Sequence, residues 1–433
     1  MLSKKVVLPA VTAILALATA CGGSATSTTA ASLATSTPTS TATSPVDSPT
    51  ATATVAATPT STATPSAGGE DGGAKSFFVW DVRDIDEGVK PALALDSQGI
   101  PLVAYMLEDL QGFVKGAVLK GNGWDITTVA EGYFYGPLDL AIGPDDVGHV
   151  AYHDHQDTRF DPSKGDAVYG AFRDGKWDVQ TIFDQGHDGW DNRIVVDSTG
   201  VPHMSAIDPE DFNGNGVEYY YVDSNGEWQV EEIGSGPLTY KFATAIGISP
   251  QGTPHITYYD QDSLDLELAI KGPSGWEIET VDADGDTGLF SSLVVDKVGS
   301  IHISYLEKTG SSAGIVKYAT KGTSETEWQI TEIGTLEEIR FGFTGARNIT
   351  SLALDSQGNP WIAYSDEAVL KLAIWDGSLW QTETVIDAAS RPLGQLVSMK
   401  LDSEDQPHIA FFEVTNSNPL EGMVKYAKGT RSG

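Results

Sequence analysis

The chain has 433 residues, 40% of them hydrophobic, and its acidic residues outnumber the basic ones 60 to 26, for a formal charge of -34. A field of that sign opposes phosphate backbones and anionic lipid headgroups, which argues against nucleic acid as a partner and against a membrane surface held by charge. The single cysteine excludes an intrachain disulfide.

In chain order, Lys4 and Lys5 precede an apolar run from Val6 to Ala18. This is the arrangement of a secretory signal, and the run is too short for a permanent membrane span. It ends in Ala18-Thr19-Ala20-Cys21-Gly22-Gly23, which resembles the lipobox of bacterial lipoproteins, with Ala18 where that family usually carries Leu. The resemblance implies a signal peptide over 1–20, lipidation of Cys21 and an extracytoplasmic, membrane-anchored location at the bacterial cell surface. From Ser24 to Ala67 the chain is almost entirely Ser, Thr, Ala and Pro, with Asp47 as its only charge. Such a segment cannot bury enough apolar surface to offset its ordering entropy, so residues 21–74 read as an extended linker.

The remainder, 75–433, carries an internal repeat. A Trp followed five residues later by Val or Ile occurs at Trp80, Trp124, Trp177, Trp228, Trp276, Trp328 and Trp380, a period of roughly 50 residues, in the range of propeller blades. The sixth copy shows the unit: a β-rich run Ser351 to Asp355, a turn through Gly358, a run Trp361 to Tyr364, a third Leu370 to Ile374, and a fourth Trp380 to Val385. Trp80 to Ile85 lacks the three preceding strands, and the last repeat, Val397 to Ala427, lacks the fourth. Joining the two fragments closes a ring and removes the exposed edges. The predicted fold is therefore all-β, a seven-bladed β-propeller with four-stranded blades, the N-terminal strand completing the last blade.

The hairpin before the Trp, as in Asp174-Gly175-Lys176-Trp177 and Ser224-Asn225-Gly226-Glu227-Trp228, resembles a degenerate Asp-box, the turn of sialidase-like propellers. That family normally has six blades and an arginine triad. Here Arg159, Arg340, Arg347 and Arg391 lie in candidate loops, without the family's Phe-Arg-Ile-Pro signature.

In a propeller the connections between blades and the loops between second and third strands share one face, the usual ligand face by analogy of fold. The irregular residues fall there. His149, His203, His255, His302 and His408 hold one repeat position and read as packing residues, whereas His153, His155 and His187 sit in loops and, as imidazoles beside carboxylates, suit a divalent metal. Asp211, Asn213 and Asn215 form the first half of a calcium-type loop, and Asp282-Ala283-Asp284-Gly285-Asp286 repeats the alternation of carboxylates. Neither has Glu at the twelfth position, where Val222 and Leu293 stand. Ca2+ or another divalent ion is the cofactor expectation. Aromatic residues recur in the connections, and Tyr135, Trp190, Tyr240, Phe290 and Phe343, with Arg347 and Arg391, form the expected ligand set, bordered by carboxylates such as Asp154, Asp260, Glu307 and Glu413. Flat rings with nearby acceptors suit sugars. The sequence thus points to a monomeric, surface-anchored module that binds an extracellular glycan or a surface protein, with a glycoside hydrolase or lyase as the alternative.

Overall fold

The seven repeats fold, in the computed structural model, as seven four-stranded antiparallel sheets arranged in a ring, a seven-bladed β-propeller. The chain divides into Met1–Glu70 and Asp71–Gly433. The structure describes residues 77–432 except 108–111, 135, 156–164, 185–188, 209–215, 234–243, 338, 340–348, 366–368, 389–392, 394–395 and 418–419. Blades 1 to 6 run in order from Val89 to Asp387, and blade 7 takes its first three strands from Ser398–Leu401, Pro407–Ser417 and Leu420–Arg431.

The fourth strand of blade 7 is Phe78–Glu87, which pairs antiparallel with the C-terminal strand from Phe78↔Arg431 to Glu87↔Met423. Phe78 is 2% exposed and its ring centroid lies 5.6 Å from that of Trp361 in blade 6. The Trp80 indole donates to the Glu383 carboxylate of blade 6 at 2.9 Å. The ring thus closes through paired backbone and through a buried aromatic contact with the neighbouring blade.

Turns between first and second strands follow from one residue. The Asp96 carboxylate accepts from the amides of Gln98 and Ile100 at 2.9 and 2.8 Å, and Asp197, Asp296, Asp355 and Asp402 repeat the pattern. Glycines such as Gly99 and Gly358 supply the left-handed residue, at φ 76 and 85. In blades 2 and 7 that residue is Asp146 or Asp405, at φ 61 and 55. Each reaches the preceding blade, where the amide and hydroxyl of Ser97, or of Ser356, donate to its carboxylate at 2.7 Å. The cost of a left-handed non-glycine residue, about 1–2 kcal/mol, is set against two inter-blade hydrogen bonds.

The five repeat histidines sit second in their strands, inside the blades. The hydroxyls of Tyr169, Tyr318 and Tyr426 lie 2.6 Å from Nδ1 of His149, His302 and His408, and Tyr219 lies 2.5 Å from His203. His255, opposite Ile270 with no such tyrosine, has its Nδ1 3.0 Å from the Thr253 carbonyl. The next blade's tryptophan packs on the same tyrosine, as in Trp228 on Tyr169 and Trp276 on Tyr219, at 5.1 and 5.2 Å. One seam therefore joins a second strand, a third strand and the neighbouring fourth strand.

Burial lowers all five of these histidine pKa values, that of His149 to about 4. The unfolded chain takes up these protons at its ordinary value of 6.5 while the folded chain does not. Stability is then fully present above that value and is lost as pH falls toward 4. For the turn residues Asp197, Asp296 and Asp402, burial raises the carboxyl pKa but amide and histidine contacts lower it further, so each lies below the carboxylate norm and adds loss in the same direction. Denaturant unfolding should show a midpoint that declines steadily once the pH drops below about 6.5. A midpoint flat down to about pH 4.5 would contradict the buried neutral histidines.

Candidate functional site

First strands of all seven blades surround a central channel of about 420 Å³, lined in part by Asp139, Arg193, Ser292, Ser351, Ser398 and Lys400. Their register is fixed by the pairing of each first strand with its second, which sets Ala92, Asp139, Arg193, Ala245, Ser292, Ser351 and Ser398 at one level. Where that residue is Ser or Asp, its oxygen accepts the backbone amide of the next blade. Ser292 takes Leu352 at 3.1 Å, Ser351 takes Met399 and Ser398 takes Leu93 at 3.0 Å, and Asp139 takes Ile194 at 3.0 Å.

One mouth of the channel is the face of the inter-blade connections. There Lys90, Asp191 and Phe290 occupy equivalent bulges at the start of first strands, with φ of 56, 61 and 55. Asp191 and Arg193 form an ion pair at 3.5 Å with side chains almost wholly buried, and the Arg193 guanidinium also donates to the Asn192 carbonyl at 2.8 Å. Buried charge of this kind is costly unless paired, and the bulge is what brings the two groups together.

His153 lies within the strand Gly148–Asp154, opposite Ala167, rather than in a loop, and its ring is 5.1 Å from that of His155, edge to face. Trp190 completes the cluster at 5.2 and 5.8 Å. All three are buried. His187, the third imidazole of the expected metal set, lies outside the described residues, as do Asp211, Asn213 and Asn215. Among the described residues no group of three metal-type ligands forms.

Trp190 and Phe290 differ from their expected place on an open ligand surface. Trp190 is 6% exposed and Phe290 1%. Phe290 packs in a cluster with Leu306, Tyr318 and Ile362, because the left-handed bulge turns its ring into the blade interface. The other expected ligand residues, Tyr135, Tyr240, Phe343, Arg347 and Arg391, lie outside the described residues, with Arg159 and Arg340.

The carboxylates expected to border the aromatics are engaged within the protein. Glu307 holds Lys317 at 2.8 Å and Glu413 lies 3.5 Å from Lys425. Asp260 accepts the Asp262 amide at 2.8 Å. The segment Asp282–Asp286 is likewise filled by the protein's own donors. Asp282 accepts from Tyr305 at 2.7 Å and from Lys317 at 3.0 Å, and Asp286 accepts from Tyr259 at 2.8 Å. The Lys317 ammonium is thus the counter-ion of the first carboxylate of that segment.

Sequence reading missed the polar residues of the channel. Its repeat was anchored on tryptophans and turns, whereas Arg193 and Lys400 emerge only when the seven first strands are aligned and a charge breaks a column of small residues.

No family model matches the chain, and no curated protein matches it. Similar solved structures include a lectin in complex with alpha-methyl fucoside, 14% identical over 70% of this chain and 96% of that one, with a TM-score of 0.47. An ulvan lyase, a polysaccharide lyase, is 13% identical over 79% of this chain and 94% of its own, with a TM-score of 0.48. A Trypanosoma rangeli sialidase is 10% identical over 81% of this chain and 58% of its own, with a TM-score of 0.43. At these identities the likeness is one of fold.

Proposed function

We propose that the protein is a lipid-anchored propeller at the bacterial cell surface that binds an extracellular glycan on the face of its inter-blade connections. The difference between its two faces carries the reading. The turns between first and second strands repeat one closed hydrogen-bond pattern in five of the seven blades, which is architecture. The connections vary from blade to blade and hold Tyr135, Tyr240, Phe343, Arg347 and Arg391, residue types that stack on sugar rings and hold their oxygens. Binding is favoured over glycoside chemistry because the described carboxylates Glu307, Glu413 and Asp282 face lysines.

The test is a glycan array on the purified chain, read in parallel for new reducing ends and unsaturated products. Retention of a defined glycan without cleavage is the expected result. Cleavage would favour the hydrolase or lyase, and an array with no retained glycan would remove the proposal. Attachment is tested separately: Cys21→Ser removes the acyl acceptor and should release the protein into the medium. Retention on the cells would contradict the anchor.

A further inference from the structure

We propose that the central channel is a second binding site, selective for a small molecule bearing an oxyanion, with Lys400 as its anchor. This goes beyond the glycan reading and does not depend on it. Lys400 occupies the penultimate position of the first strand of blade 7, where the other blades carry Ala94, Ala141, Val195, Gly247, Val294 and Ala353. It lines the channel, is exposed to it, and has no ion-pair or hydrogen-bond partner for its ammonium among the described residues. In a chain of charge -34 that carries 26 basic residues, Lys115, Lys271, Lys317, Lys321, Lys425 and Lys428 are paired with carboxylates, and Lys176 and Lys297, which like Lys400 have no such partner among the described residues, are exposed outside the channel lining.

The hydroxyls above Lys400 strengthen the bias toward donors. Ser292, Ser351 and Ser398 each accept a backbone amide. A hydroxyl that accepts in this way still has a proton to donate, and none of the three donates to a described residue. They lie on three consecutive blades, and Arg193 stands at the same level on blade 3. The one carboxylate of that level, Asp139, accepts the amides of Leu140 and Ile194 at 2.9 and 3.0 Å, so its charge is already solvated by the chain. The channel therefore presents an ammonium and a row of hydroxyl protons, with backbone amides already satisfied and the Arg193 guanidinium already held by Asp191 and the Asn192 carbonyl. Donors so arranged match a carboxylate, sulfate or phosphate group. A volume of about 420 Å³ holds a ligand of sugar-acid size, and sites of this kind start at roughly 300 Å³.

Isothermal titration of the full chain with inorganic sulfate, D-glucuronate and D-glucose tests the proposal. Sulfate or glucuronate should bind while neutral glucose does not, and Lys400→Ala should weaken binding at least about tenfold, with Lys400→Arg close to wild type. Tighter binding of glucuronate than of sulfate would identify a sugar acid as the occupant, and the reverse a free oxyanion. Because Lys400 has no partner to lose among the described residues, Lys400→Ala should melt like the wild type without ligand, so a loss of binding reads on the site and not on folding. Failure of both anions to bind at millimolar concentration, equal affinity in Lys400→Ala, or glucose binding as well as glucuronate would overturn it.

Discussion

Deleting residues 1–87 should open the ring, whereas a deletion that stops at residue 74 should leave the domain intact. The longer deletion removes the strand that pairs with Met423–Arg431, the buried Phe78 ring and the Trp80 hydrogen bond to Glu383. It also removes Asp86, whose carboxylate holds Lys115 at 2.7 Å and accepts from Tyr105 at 2.9 Å in blade 1. Loss of the phenylalanine alone, as Phe78→Ala, should cost about 3–5 kcal/mol. The full deletion also bares the edge of the C-terminal strand, which is a template for pairing with another chain. A lower melting temperature together with concentration-dependent association is expected. A truncated protein that stays monomeric and melts with the 74-residue deletion would show that the N-terminal strand does not close the ring.

Lys317→Ala should be the most destabilising single change among the charged residues. The Lys317 side chain is 7% exposed and bridges Asp282 at 3.0 Å and Glu307 at 2.8 Å, tying the end of blade 4 to blade 5. Burial raises the Asp282 carboxyl, but hydrogen bonds from Tyr305, the Asp284 amide and Lys317 lower it further, leaving it below the usual range. Without the ammonium two carboxylates share a buried site, at a cost of about 3–5 kcal/mol. One of them should then take up a proton more readily, so the deficit relative to wild type should shrink as pH falls from about 7 to about 5. A deficit of the same size at both pH values would point to a cavity rather than to unpaired charge. Replacing Lys317 and Asp282 together by apolar residues should recover part of the loss.

The architecture was legible because each blade repeats a small number of hard constraints. The tryptophan pattern marks the fourth strands, and Asp at the turn with Gly three residues on marks the step from first to second strand. The complementary fragments at the two ends dictated closure. What the repeat obscured were its exceptions. Asp146 and Asp405 stand where the turn wants glycine and bind the neighbouring blade instead, and no local pattern signals a partner 49 residues away. Trp190 and Phe290 read as loop aromatics because they precede a first strand, yet left-handed bulges at Asp191 and Phe290 turn the chain inward. Burial at such positions depends on backbone conformation, which a sequence of variable connections does not reveal. His153 read as a loop residue because it follows the alternating part of its strand, yet it is a buried residue of the strand Gly148–Asp154 whose ring meets that of His155.

Hydrogen exchange of the chain with and without the glycan retained on the array tests the central claim most directly. Protection is expected in the connections between blades and in the loops from second to third strands, including the segments around Tyr135, Tyr240 and Arg347. The turns that begin at Asp96, Asp197, Asp296, Asp355 and Asp402 should exchange alike in both states. Protection confined to those turns, with the connections unchanged, would place the ligand on the architectural face and contradict the account.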